Sequence, residues 1–136
     1  MSTQEFIICS LEIVAERNGD ITSAVYDLYY QNSPGSRELM AHIDHLVQGR
    51  MMDEVLRLLM VEDASREDQY LTFEMKTHEE AYNVAESMYA SLLAAVWQIV
   101  REGVGEDWNE IYENAWQERV TSLLEEIKRH SPSRKK

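Results

Sequence analysis

The chain is short of places to break. Its 136 residues hold two prolines and five glycines, and these are the residues that most often end a helix or make a turn. No Asn-Gly or Asp-Gly turn joins alternating strands, and no clean period-2 stretch occurs. Apolar residues instead recur at helical spacing along most of the chain.

Ile7, Leu11 and Val14 share the face of a first helix, which Asn18-Gly19-Asp20 ends. Asp20 is placed to cap a second helix through Ile21, Val25 and Leu28. Pro34, with Ser33 as cap, opens a short helix to about Met40. Leu46, Val47, Met51, Met52, Val55 and Leu59 mark a longer helix, ending near Glu62-Asp63-Ala64-Ser65. A short, more polar helix turns Tyr70, Leu71, Phe73 and Met75 inward. Ala85, Met88, Tyr89, Leu92, Val96, Ile99 and Val100 form the strongest apolar stripe, stopped by Gly103 and Gly105. A last helix carries Trp108, Ile111, Tyr112, Ala115, Trp116, Val120, Leu123, Leu124 and Ile127. The pattern predicts one all-α domain of about seven helices over residues 1–128, with a basic, mobile tail at 129–136 that includes His130. Two long late helices after several short ones are not the even spacing of an up-down bundle.

Charge narrows the function classes. Asp and Glu number 25 against 13 Lys and Arg. Four of the basic residues fall in the last eight, so the rest of the chain is strongly acidic. Such a surface repels phosphate backbones and argues against nucleic-acid binding. One cysteine, Cys9, permits no intrachain disulfide and argues against a thiolate metal cluster. No apolar run reaches the roughly 18 residues of a membrane span, and the N-terminus lacks the marks of a secretory signal. The expected location is the cytoplasm.

The order of several residues resembles a globin, in particular a bacterial single-domain globin of the flavohaemoglobin and sensor-globin kind. The resemblance covers roughly residues 5–128. Asp20 to Tyr26 is similar to the second helix of bacterial globins, with Tyr26 where a tyrosine often overhangs the haem. Asn32-Ser33-Pro34 resembles the start of the third helix. Gln48-Gly49-Arg50-Met51-Met52 resembles the distal stretch, with Gln48 at the gate position and Met52 one turn on. His78 follows Gln48 by 30 residues, and Tyr89 follows His78 by eleven; both separations are globin-like. Ala115-Trp116 matches the Ala-Trp of the final helix in the flavohaemoglobin-like group.

The resemblance implies a haem b clamped between two walls. His78 is the implied axial ligand, its second ring nitrogen held by a backbone carbonyl or by Thr77. Tyr26 and Gln48 are the implied hydrogen-bond donors to a diatomic gas, O₂, NO or CO. Tyr82 and Val84 would flank the haem edge, with Met40, Met52 and Tyr89 completing the pocket. Two positions depart from the haem-binding pattern. Met40 stands six residues after Pro34, where such globins carry a phenylalanine stacked on the porphyrin. Glu74 stands one turn before His78, where a large apolar residue is usual.

Other constellations are weaker. His42 and His45 could bind the iron in a ligand-free state, or hold a stray divalent metal with Asp44; a solvated cluster is the plainer reading. Met40, Met51, Met52, Met60, Met75 and Met88 read first as core, and would also suit an adaptable apolar pocket. There is no Gly-rich phosphate loop and no arguable Ser-His-Asp set.

Three classes stay open. The first is a haem protein for gas sensing, storage or detoxification. The second resembles the non-haem sensor globins, with no cofactor or a fatty-acid-like ligand, a class that Met40 and Glu74 favour. The third is a helical interaction domain. Dedicated catalysis is not expected, since no residues remain for a reductase and redox turnover would need external electrons. A sensing role would need a separate signalling partner. A homodimer through the last two helices is expected, with Trp97, Trp108 and Tyr112 as possible anchors, although such tryptophans are more often core residues.

Overall fold

The computed structural model describes residues 2–41, 43–61 and 86–130, with the backbone alone at Glu86. Among them are six α-helices, one 3-10 turn and no strand. We number the helices α1 (Thr3–Asn18), α2 (Thr22–Asn32), α3 (Ser36–Leu39), α4 (His45–Met60), α5 (Glu86–Val104) and α6 (Glu110–His130). The expected all-α class is what the structure has. The polar helix expected around Tyr70–Met75 lies outside the described residues, as do Glu74, Thr77 and residues 131–136.

Local chemistry sets most of the helix ends. Ser2 caps α1 by accepting from the Glu5 N–H at 3.2 Å, and Asp44 caps α4 by accepting from the Val47 N–H at 2.9 Å. Asn109 accepts from the Ile111 and Tyr112 N–H groups at 2.9 and 3.1 Å, opening α6. Asp20 Oδ1 accepts from both the N–H and the hydroxyl of Thr22, at 2.9 and 2.6 Å, but α2 starts at Thr22 with Ile21 at its N-cap, so Asp20 acts from one position further out than expected.

Ser33 does not cap by its side chain. Its carbonyl accepts from the N–H and hydroxyl of Ser36, while Pro34 and Gly35 make a turn and α3 starts only at Ser36. Gly103 does not stop α5 either. It lies inside the helix, where an added Cβ would come within 2.9 Å of Val14 Cγ2 and of Asn18 Nδ2. Its missing side chain lets α1 approach α5. Gly105, at φ 66°, is the residue that turns the chain.

The core lies where α1, α2, α4, α5 and α6 meet. α1 packs against both α5 and α6, α2 against α5, and α4 reaches α1, α2 and α6. Ile7, Val14, Val25, Leu59, Val96, Val100, Val104 and Trp116 are completely or almost completely buried. Two residues assigned to inward stripes face out instead: Leu46 is 75% exposed and Ile111 is 54% exposed. Both sit in the first turn of their helix, ahead of the packed part. Trp108 precedes α6 rather than riding on it. The last helix runs through His130, which is buried. Arg129 and His130, expected in the tail, are thus the last residues of α6.

Candidate functional site

The polar end of the core is built around three tyrosines of α2. Helical spacing puts Val25, Tyr26 and Tyr29 on the buried face and sets Tyr30 one turn beyond Tyr26. The Tyr26 ring lies 6.2 Å from that of Tyr29, edge-on, and 6.0 Å from that of Tyr30, tilted by 37°. Tyr29 and Tyr30 are 5.7 Å apart. Tyr30 is half-buried, and the Arg37 guanidinium sits 5.0 Å from the centre of its ring.

Tyr26 is 2% exposed, and its hydroxyl has no hydrogen-bond partner among the described residues. Buried polar atoms are almost always paired, so such an exception needs a reason. Loss of hydration pushes its pKa far above the usual phenol value, with further upward pressure from Tyr30 and Tyr29. The hydroxyl is therefore a neutral donor at any ordinary pH. Tyr29 and Tyr30 are also raised, chiefly by burial, and at Tyr30 the Arg37 cation pulls the other way.

Gln48, in the first turns of α4, is half-buried and donates its amide to the Tyr30 hydroxyl at 3.0 Å. The sequence had paired Gln48 with Tyr26 as a second donor; the amide goes to the next tyrosine instead. Met52, one turn further along α4, is 1% exposed. Met40, at the end of α3, is half-buried and packs on the core. Tyr89, on α5, does the same. Tyr26, Met40, Met52 and Tyr89 thus all belong to one core assembly. His78, Tyr82 and Val84 lie outside the described residues, as does His42. His45 is the exposed first residue of α4. Among the described residues no group of three His, Cys, Asp or Glu side chains could hold a metal ion, and no helix is long and apolar enough to cross a membrane.

The expected dimer anchors have partners within the chain. Trp108 stacks on Tyr112 at 5.5 Å and donates to Glu113 at 3.0 Å. Tyr112 also meets Phe6 edge-on at 5.9 Å. Trp97 packs on the core, and its indole nitrogen is shielded from solvent without a hydrogen-bond partner among the described residues. Sequence reasoning missed Tyr30 and Arg37. The spacing of Tyr26 and Tyr30 was the available signal, but it reads as an ordinary aromatic pair until Gln48 is seen to join it.

No protein-family model matches the chain, and no curated protein sequence does. A solved structure does: a protein of Pseudomonas aeruginosa PAO1, described as structurally highly homologous to a human haemoglobin. The TM-score is 0.80 at 18% identity, over 95% of this chain and 98% of that one. The fold is a globin fold. In it the two longest helices, α5 and α6, form a platform: α1 packs on both and α2 on α5. At 18% identity the likeness carries architecture, so the chemistry rests on this chain's own residues.

Proposed function

We propose that this chain is a haem-binding globin that reversibly holds a diatomic gas, for sensing, storage or detoxification. The observation that carries the reading is the Tyr26 hydroxyl, a fully buried donor with no partner among the described residues, in a chain of globin fold. Leaving a buried hydroxyl unpaired costs about 1–3 kcal/mol. A small acceptor that arrives from outside removes that cost. The donor set fits a haem pocket on this ground: a neutral O–H, amid apolar and aromatic side chains, ready to meet a gas molecule.

Haem b supplies, when bound, an iron that a diatomic gas can coordinate. The His78 imidazole would hold the iron, a role proposed from its position in the sequence. Tyr26 donates to the gas and slows its release. Met52 and Met40 supply apolar, polarisable surface, and Tyr89, Tyr82 and Val84 are assigned to the rest of the pocket. The reading is one of binding rather than turnover, in the cytoplasm, with output passed to a separate partner or across a homodimer of the α5–α6 face.

The test is a titration of the purified chain with haemin, followed by its absorption spectrum, with His78→Ala beside the wild type. The reading expects saturable uptake and a sharpened Soret band in the wild type, and a changed spectrum and weaker retention in His78→Ala. An unaltered spectrum in the variant removes His78 from the ligand role.

A second reading has one observation in its favour. Met40, packed on the core at the end of α3, replaces the flat aromatic that haem-binding globins carry there. A flexible thioether suits an irregular apolar ligand as well as a ring. This reading makes the chain a non-haem sensor for a fatty-acid-like molecule. A colourless protein that takes up no haemin but carries extractable fatty acid would establish it.

A further inference from the structure

We infer that Tyr30 is a positioning residue, which holds the Gln48 amide to itself and leaves the Tyr26 hydroxyl, rather than that amide, as the hydrogen-bond donor to the bound gas. The inference rests on the haem reading and specifies how its pocket discriminates.

Tyr26 and Tyr30 stand one helical turn apart on α2 with their rings 6.0 Å apart, and one amide, that of Gln48, meets this pair. The structure gives the amide to Tyr30, at 3.0 Å, and no partner among the described residues to Tyr26. This is the reverse of what solvation alone would choose. Tyr30 is half-buried and closer to water, whereas Tyr26 is fully buried and suffers more from lacking a partner. Packing explains the choice. The Tyr30 ring is braced by Tyr26 at 6.0 Å, by Tyr29 at 5.7 Å and by the Arg37 guanidinium at 5.0 Å. A ring held by these three neighbours presents its oxygen in one place, so Gln48 loses little further freedom by donating to it.

The consequence is chemical. A pocket with a phenol and an amide would grip a polar acceptor with two bonds. With the amide tied to Tyr30, a bound gas meets one O–H. Removing the Tyr30 oxygen frees the amide while leaving the ring and its stacking in place.

The experiment uses the haem-loaded chain, with wild type, Tyr30→Phe and the double variant Tyr30→Phe/Gln48→Leu. Infrared C–O stretching bands under CO and oxygen dissociation rates are recorded for each. Tyr30→Phe should add a band at lower frequency and slow oxygen release about 2- to 10-fold, the range of one added hydrogen bond. The double variant should lose both changes. Tyr30→Phe with bands and rates at the wild-type values overturns the inference, and so does a change that survives in the double variant. Urea unfolding of the haem-free proteins supplies an independent readout: a double-mutant cycle between Tyr30→Phe and Gln48→Leu should show favourable coupling, and none would contradict the inference. Failure is attributable. A wild type that takes up no haemin sinks the haem reading and this inference together, whereas a loaded protein indifferent to Tyr30→Phe sinks this inference alone. Normal haemin uptake by Tyr30→Phe shows that the variant folds.

Discussion

The indole N–H of Trp116 donates to the hydroxyl of Ser10 at 2.9 Å, across 106 positions of sequence. Both residues are completely buried, and Ser10 passes its own hydrogen to the Ile7 carbonyl at 2.7 Å. One oxygen thus satisfies the largest side chain in the core and ties α6 to α1. Ser10→Ala should cost about 1–3 kcal/mol, because the indole N–H then has no partner and no water. Equilibrium urea unfolding followed by tryptophan fluorescence measures this. A cost below about 0.5 kcal/mol, the level of ordinary surface changes, would show that the bond is dispensable.

A pair of glycine substitutions separates helix propensity from packing. Gly49 lies within α4 with nothing near its missing side chain, so Gly49→Ala should stabilise by about 1 kcal/mol. Gly103 lies within α5 against Val14 and Asn18. Val14 is buried and stiff, so overpacking of about 1–3 kcal/mol should outweigh the same gain. Thermal unfolding should move up for the first variant and down for the second. Equal shifts would mean that α1 and α5 are not in close contact at Gly103.

How far the sequence spoke can be argued from the same residues. Helical periodicity found the buried faces of α1, α2 and α5 because it depends only on near neighbours in the chain. It failed at Leu46 and Ile111 because a first turn can satisfy the period and still project beyond the partner helix. Gly103 was read as a stop because its true reason, the approach of α1, is nearly ninety positions away. His130 was put in a tail because its burial depends on where α6 ends against the core. At the site, Tyr26, Met40, Met52 and Tyr89 were named and are found in one core. The link from Gln48 to Tyr30 was not legible, since two tyrosines on one helix face compete for it and only packing decides.

The tyrosine cluster sets a direction for pH dependence. In the unfolded chain these phenols lose their protons near the usual value of 10.0, while in the folded chain Tyr26, Tyr29 and Tyr30 keep theirs to higher pH. Above that value the unfolded state binds fewer protons than the folded one, so stability is full below it and falls as pH rises further. Urea midpoints across the alkaline range should decline, and less steeply in Tyr26→Phe. Tyrosinate absorbance from Tyr26 should appear only with unfolding. Its appearance in a still-helical protein would contradict the burial of that hydroxyl.

The unpartnered hydroxyl also makes stability and function oppose each other. Without haem, Tyr26→Phe removes a buried donor and should leave the protein as stable as the wild type or up to about 1–2 kcal/mol more so. Urea unfolding of the haem-free proteins checks the sign. Marked destabilisation would mean that the hydroxyl has a partner in the free protein and is not held in reserve.

The most direct test of the whole account is the oxygen dissociation rate of haem-loaded Tyr26→Phe against the wild type, by stopped-flow replacement with CO. Loss of this donor should speed release about 10-fold or more, as expected for a hydrogen bond to an acceptor carrying partial charge. An unchanged rate in a variant that still takes up haemin would contradict it, because the buried Tyr26 hydroxyl would then serve no gas.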